Sequence, residues 1–207
     1  MAQAEPQNNP VPIPPIEQSL DTTVAELWFQ VSETSLQLEG LCFDRKGNLF
    51  FCDVFGGTIF HLDMQTQALT EIYQAKDEFP AAVKIHRDGR LFVCCLGNFE
   101  TGHIFAIQPD GTGRETILEG YVVDDMVFAP DGSFYFTHFV GKSTEPAGGL
   151  YHVSPDYQTI TPILENLAGP NGIALSTNCC VLWATETNAN RLHRIGLEEN
   201  RISIRDQ

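Results

Sequence analysis

The sequence predicts an all-β chain folded as a propeller. Three observations predict it: a gapless internal repeat, a turn signal at one phase of that repeat, and alternating apolar residues between the turns. Four segments align across their first strands: "EGLCFDRKGNLFFCD" from Glu39, "AAVKIHRDGRLFVCC" from Ala81, "DDMVFAPDGSFYFTH" from Asp124 and "NGIALSTNCCVLWAT" from Asn171. Their openers stand 42, 43 and 47 residues apart, close to the roughly 40–50 residues of propeller repeats.

Each element follows in order. Residues 1–21 are rich in proline and read as a flexible arm, and residues 22–207 as a partial propeller. "TVAELWFQVS" reads as a lone strand that would complete the outer edge of a last blade and close a ring. Each repeat then begins with a hairpin whose polar turn carries Gly47, Gly89 or Gly132 at one phase, where the backbone needs positive φ. The fourth repeat has Cys179 there, which should strain or reshape that turn. Third strands follow in "GTIFHLD", "GHIFAIQ", "GLYHVSP" and "RLHRIGL", and fourth strands in "ALTEIYQ", "RETILEG" and "TITPILE". Four short antiparallel strands per unit make a blade. The fourth unit reaches "RISIRDQ", barely into its outer strand, so the 207 residues supply about four blades. A six-blade ring would need on the order of 100 residues more.

Twelve Lys and Arg against 27 Asp and Glu give a formal charge of -15. That balance argues against nucleic acid and anionic membrane surfaces as partners and favours cations. The first residues carry neither a basic n-region nor an apolar run of signal length. A soluble, cytoplasmic protein is the expectation, with its six cysteines reduced and mostly buried, since no C-x-x-C pair occurs. The six histidines lack H-x-H or H-E-x-x-H spacing, and no G-x-S-x-G elbow occurs.

In a propeller the first strand of each blade lines the channel, so the residue opening each repeat can project towards the axis. The openers are Glu39, Ala81, Asp124 and Asn171. Three offer oxygen ligands in equivalent phase from three blades, a set that suits calcium or magnesium with water or substrate completing the shell. Asp125 should point the opposite way once the strand has begun and reads as a hydrogen-bonding or turn residue. His138 closes the second strand of the third repeat where Asp53 closes that of the first, which reads as a changed loop contact and not as a catalytic histidine.

The stretches "LEGLCFDRKGNLFFCDVFGGTIFHLD", "FPAAVKIHRDGRLFVC", "DDMVFAPDGSFYFT", "GGLYHVSPD" and "PNGIALST" through "LWATETNANRLHRI" resemble the gluconolactonase, senescence marker protein and luciferin-regenerating enzyme family, and within it the bacterial drug-responsive lactonases. The resemblance covers about residues 22–200. It implies a six-bladed propeller, a divalent metal on the axis, usually calcium, and hydrolysis of a small-molecule lactone by metal-polarised attack of water. By the same resemblance Glu39, Asp124 and Asn171 match three metal-site positions. The family's proton-handling aspartate has no match, its expected place lying about one repeat beyond Asn171, past Gln207. A second, structural calcium, held in relatives on loops between the second and third blades, would here use Thr101, Gly102 and Tyr121, in shorter stretches. The alternative expectation is a truncated, non-catalytic propeller fragment acting as a binding module. Its open sheet edges would then invite self-association.

Overall fold

A computed structural model describes residues 24–198, the backbone of 201–204, and isolated positions 15, 18 and 19. The chain divides into two units, residues 1–30 and 31–207. In the first, Trp28 and Phe29 hold their rings 5.9 Å apart. The Pro-rich arm expected over 1–21 lies almost wholly outside the described residues.

The described residues of the second unit form sixteen strands in four antiparallel sheets of four. Blade 1 runs β1 (Leu38–Phe43), β2 (Leu49–Asp53), β3 (Thr58–Leu62) and β4 (Leu69–Gln74), and blade 2 runs β5 (Pro80–Ile85), β6 (Leu91–Cys95), β7 (His103–Ile107) and β8 (Glu115–Glu119). Blade 3 runs β9 (Val123–Phe128), β10 (Phe134–His138), β11 (Gly148–Val153) and β12 (Ile160–Leu167). Blade 4 runs β13 (Pro170–Leu175), β14 (Val181–Glu186), β15 (Arg191–Glu198) and β16 (Arg201–Ile204). Every sheet follows chain order, and the first strands β1, β5, β9 and β13 touch in succession. This is the four-blade arrangement that the repeat predicts.

One expectation is corrected: residues 24–32, most of "TVAELWFQVS", form no strand. The expectation gave it the outer edge of a last blade, and the outer strand of each of these four blades comes from its own repeat.

The core lies between blades, and the period-2 alternation of the strands builds it. On β6, Leu91, Val93 and Cys95 face the cluster with Phe50, Cys52 and Ile59 of blade 1. Phe92 and Cys94, one residue out of phase, face Met126, Phe134 and Phe136 of blade 3. A third cluster joins Leu150, Ile163 and Leu167 of blade 3 to Ile173, Leu182 and Ile195 of blade 4. Blades 2 and 3 are therefore covered on both faces. Blade 4 leaves Trp183 and Leu192 exposed, and blade 1 leaves Leu41 and Phe43 exposed.

The hairpin turns behave as their sequence requires. Gly47, Gly89 and Gly132 have φ of 85°, 94° and 95°. Asp88, Asp131 and Asn178 each accept the backbone N–H two residues on, at 2.9, 3.0 and 3.2 Å. Cys179 adopts φ of 56° at the fourth equivalent position, so the turn keeps its left-handed form with a residue that pays a Cβ penalty for it.

Candidate metal centre

Each first strand carries an irregularity at one place, and the repeat openers sit beside or within it. In blade 3, Val123 pairs with His138 and Met126 with Phe136, so Asp124 and Asp125 together oppose Thr137. In blade 4, Pro170 pairs with Glu186 and Ile173 with Ala184, so Asn171 and Gly172 together oppose Thr185. In blade 2 Ala81 is the extra residue, and in blade 1 Gly40 and Leu41 follow Glu39. A β-bulge of this kind re-aims side chains and accentuates local twist. The Asn171-Gly172 pair, which sequence alone would read as a hairpin turn, is thus a bulge in the innermost strand.

Hydroxyls hold these bulges. Thr137, fully buried, accepts the Asp125 N–H at 3.1 Å and donates to the Asn171 carbonyl at 2.7 Å. Thr185 accepts the Gly172 N–H at 2.9 Å in the same role one blade on. Gly40, with φ of 64°, is required in blade 1, because a Cβ there would land on the Ala82 Cα of the next blade.

Asp125 ties three first strands together. Its Oδ1 meets Lys84 Nζ of β5 at 2.8 Å and accepts the Met126 N–H at 2.8 Å, while Oδ2 accepts the Ile173 N–H of β13 at 3.2 Å. Burial would lower the Lys84 pKa, but the Asp125 charge and hydrogen bond outweigh it and leave the ammonium held above its ordinary value.

Asp124, one residue earlier, has the opposite situation. Its carboxyl is pushed up to about 7, first by burial, then by the charges of Asp125 and Glu39, with Lys84 opposing. Among the described residues, the side chains of Glu39, Asp124 and Asn171 have no hydrogen-bond or ion-pair partner. Two mutually repelling carboxylates and an amide oxygen, all hard donors, fit a divalent cation bound by oxygen.

His138, expected as a changed loop contact, does make one, in a set that includes Asp53 and also Glu186, which the sequence reading missed. The last residue of the second strand clips the chain entering the first: Asp53 accepts Gln37 N–H at 3.2 Å, His138 Nδ1 accepts Val122 N–H at 3.0 Å, and Glu186 accepts Ala168 N–H at 2.8 Å. His138 therefore has a backbone partner, and burial lowers its pKa towards the neutral ring. The only sequence signal for these clips was the shared phase of Asp53 and His138.

Elsewhere the fold brings together Glu78, Cys95 and His103, whose ligand atoms lie within 4.8 Å of one another. Their spacing in the sequence gave no hint of it. Glu78 is already committed to Arg114 at 2.8 and 3.0 Å and to His103 at 2.8 Å, and burial raises the Cys95 thiol well above its usual pKa, so the cluster works as an ion-pair clasp between blade 2 and the linker that enters it. Of the loop residues Thr101, Gly102 and Tyr121, Gly102 packs against the Tyr121 backbone. Its carbonyl already accepts the Gly120 N–H at 3.1 Å.

Residues 37–206 match the model of the SMP-30/gluconolactonase/LRE-like region. The chain belongs to this family. Among its curated relatives are the lactonase drp35 of Staphylococcus saprophyticus, 53% identical over 209 residues that cover 99% of this chain and 64% of the relative. The lactonase drp35 of Staphylococcus aureus strain USA300 is 52% identical over 202 residues, 95% of this chain and 62% of the relative. The chain thus spans less than two thirds of the length of these family members. Similar solved structures include a gluconolactonase from Xanthomonas campestris, at TM-score 0.70 and 17% identity over 82% of this chain and 61% of that one. Another is the calcium-binding protein regucalcin from Agrobacterium tumefaciens, at TM-score 0.64 and 18% identity over 82% and 59%. At these identities the structures establish the fold, a lactonase-type propeller.

Proposed function

We propose that this chain contributes the larger part of the metal centre of a calcium-dependent lactonase, with Glu39, Asp124 and Asn171 as protein ligands. The observation that carries the reading is the equivalent repeat phase of the three oxygen donors, beside the first-strand bulge in blade 1 and within it in blades 3 and 4, with no side-chain partner among the described residues. The names of the drp35 relatives support the activity, and that of the regucalcin neighbour supports calcium. A divalent cation bound there supplies a Lewis acid that polarises the lactone carbonyl and stabilises the developing oxyanion.

The chain's own residues prepare this. Asp125 holds β5, β9 and β13 in register through Lys84 and Ile173, so the neighbouring donors are fixed before a ligand arrives. Thr137 and Thr185 fix the bulges that aim Asp124 and Asn171. The repulsion between Asp124 and Glu39 is relieved only when a cation or a proton arrives. Proton transfer to and from the attacking water falls to an aspartate about one repeat beyond Asn171 in the family pattern, and a general base of that kind contributes ~10²–10⁴-fold in rate.

Calorimetric titration of the chain and of Asn171→Ala with calcium tests the centre. Saturable heat in the first and its loss in the second is expected; equal heats from both would sink the assignment. A second reading, a non-catalytic binding module, is favoured by the exposed Trp183 and Leu192 on blade 4. Calcium-dependent lactone hydrolysis by the 207 residues, abolished by Glu39→Ala, would argue against it. Self-association through the exposed blade faces and a cytoplasmic location belong to the same proposal. No helix among the described residues is long and apolar enough to cross a membrane.

A further inference from the structure

The chain contains two Cys-Cys pairs, Cys94–Cys95 and Cys179–Cys180, and the fold treats them differently. Cys94 and Cys95 are adjacent on β6, so they point to opposite faces of blade 2. Cys94 enters the core shared with blade 3 and Cys95 the core shared with blade 1. Both are fully buried, and burial raises both thiols well above their ordinary pKa. Neither can meet a reagent, nor can the two act on one atom.

Cys179 and Cys180 lie outside any strand, in the turn between β13 and β14, with Cys180 exposed and Cys179 half-buried. The turn is shaped by backbone and Asn178: Cys179 N–H donates to the Ser176 carbonyl at 2.8 Å, and Cys180 N–H to Asn178 Oδ1 at 3.2 Å. The Cys180 thiol is folded back over the turn, 3.2 Å from the Asn178 carbonyl. A tight turn frees adjacent residues from the opposite-face rule of a strand. Cys179 also holds the left-handed position that three sister turns give to glycine, so the fourth blade keeps a thiol where the backbone favours none.

We infer that Cys179 and Cys180 form a surface vicinal dithiol that captures trivalent, thiophilic species of the arsenical class. The reaction is a condensation without redox change. With phenylarsine oxide, both S–H bonds break, two S–As bonds form, and the arsenic-bound oxygen leaves as water with the two protons. The thiolate is the attacking form, and an exposed thiol with a second thiol beside it outside any strand is what the four other cysteines lack: Cys52, Cys94 and Cys95 are buried, and Cys42 is half-buried and without an adjacent cysteine in β1.

Native mass spectrometry with phenylarsine oxide tests this, alongside counting of fast thiols with a disulfide reagent. One arsenic per chain is expected at low micromolar reagent, with loss of two fast-reacting thiols and no change at Cys94 or Cys95 on peptide mapping. Cys180→Ser and Cys179→Gly should each abolish stable uptake. Cys179→Gly relieves the left-handed backbone, so its loss of uptake cannot be attributed to unfolding. Uptake that survives in Cys179→Gly, absence of uptake in the native chain, or arsenic mapped to Cys42 or Cys94–Cys95 would each overturn the inference.

Discussion

Blades 3 and 4 share a bulge, a side-chain clip and a hairpin turn at equivalent positions, yet fill them with different residues. Blade 3 uses Asp124-Asp125, His138 and Gly132, whereas blade 4 uses Asn171-Gly172, Glu186 and Cys179. A threonine at the equivalent position, Thr137 in blade 3 and Thr185 in blade 4, stitches each bulge. The difference teaches that the geometry comes from backbone pairing and the hydroxyl, while charge is assigned position by position. Blade 3 concentrates carboxylate at its first-strand bulge; blade 4 has a neutral amide there and keeps its carboxylate one strand back, as a clip.

The largest expected effect comes from breaking the link between the two blades. Asp125→Ala leaves Lys84 without its counter-ion and the Ile173 N–H without its acceptor. Because Lys84 keeps 26% of its side chain exposed, the cost should be about 2–4 kcal/mol, a little below that of a fully buried pair. Urea unfolding measures it, and Lys84→Met added to Asp125→Ala should recover part of the loss by removing the orphaned charge. No recovery in the double variant would mean that the hydrogen bond to blade 4, and not the charge, carries the link.

Next come the clips. Glu186→Ala strands the Ala168 N–H and the partner of His193, at 2.8 and 2.9 Å, and should cost about 2–3 kcal/mol because the acceptor is charged. His138→Ala strands only the Val122 N–H, at 3.0 Å, for about 1–2 kcal/mol. Equal costs in chemical denaturation would contradict the distinction drawn between them.

Which of these features the sequence displayed follows from what each depends on. Blade number, strand order and the phase of Glu39, Asp124 and Asn171 were legible because they rest on local periodicity and on turn glycines, which recur along the chain. The positive φ at Gly47, Gly89 and Gly132 was legible for the same reason, whereas Cys179, expected to strain or reshape its turn, keeps the left-handed form. The bulge was not, since Asn-Gly carries the same local preference in a turn and in a bulge, and only pairing with β14 separates them. Nor was the reach of Asp125 to Lys84 and Ile173, which lie 41 and 48 residues away and meet it only across blades. The strand expected in "TVAELWFQVS" is not formed over residues 24–32, because alternation announces a strand but not the partner strand it must pair with.

Acidification should separate the two blades by pH. Burial lowers the folded-state pKa of His138 below its ordinary 6.5, so the unfolded chain takes up the proton first. The stabilisation is present above about 6.5 and is lost as pH falls through the folded value. For Glu186, burial works to raise the pKa, but the Ala168 N–H, His193 and Arg191 outweigh it and hold it below 4.5. Its contribution therefore survives until pH falls below that value. Urea midpoints across pH 3–8 should show His138→Gln flattening the upper window and Glu186→Gln the lower one; the reverse assignment would invalidate the clip roles.

The smallest effect sharpens the turn comparison. At φ of 56° Cys179 pays the left-handed penalty of an L-residue, which Gly132 at 95° avoids. Replacing Cys179 with glycine recovers that penalty but adds freedom to the unfolded chain, and the balance should be a gain of about 0.5–1 kcal/mol. The mirror substitution Gly132→Ala should lose slightly more. A Cβ at Gly132 must also displace the Arg87 guanidinium, 3.1 Å away, although that is the far end of a flexible side chain and can yield. Calorimetric melting of the two variants should therefore move in opposite directions. If both fall, the blade 4 turn has repacked around its cysteine, and its equivalence to the blade 3 turn is one of backbone shape alone.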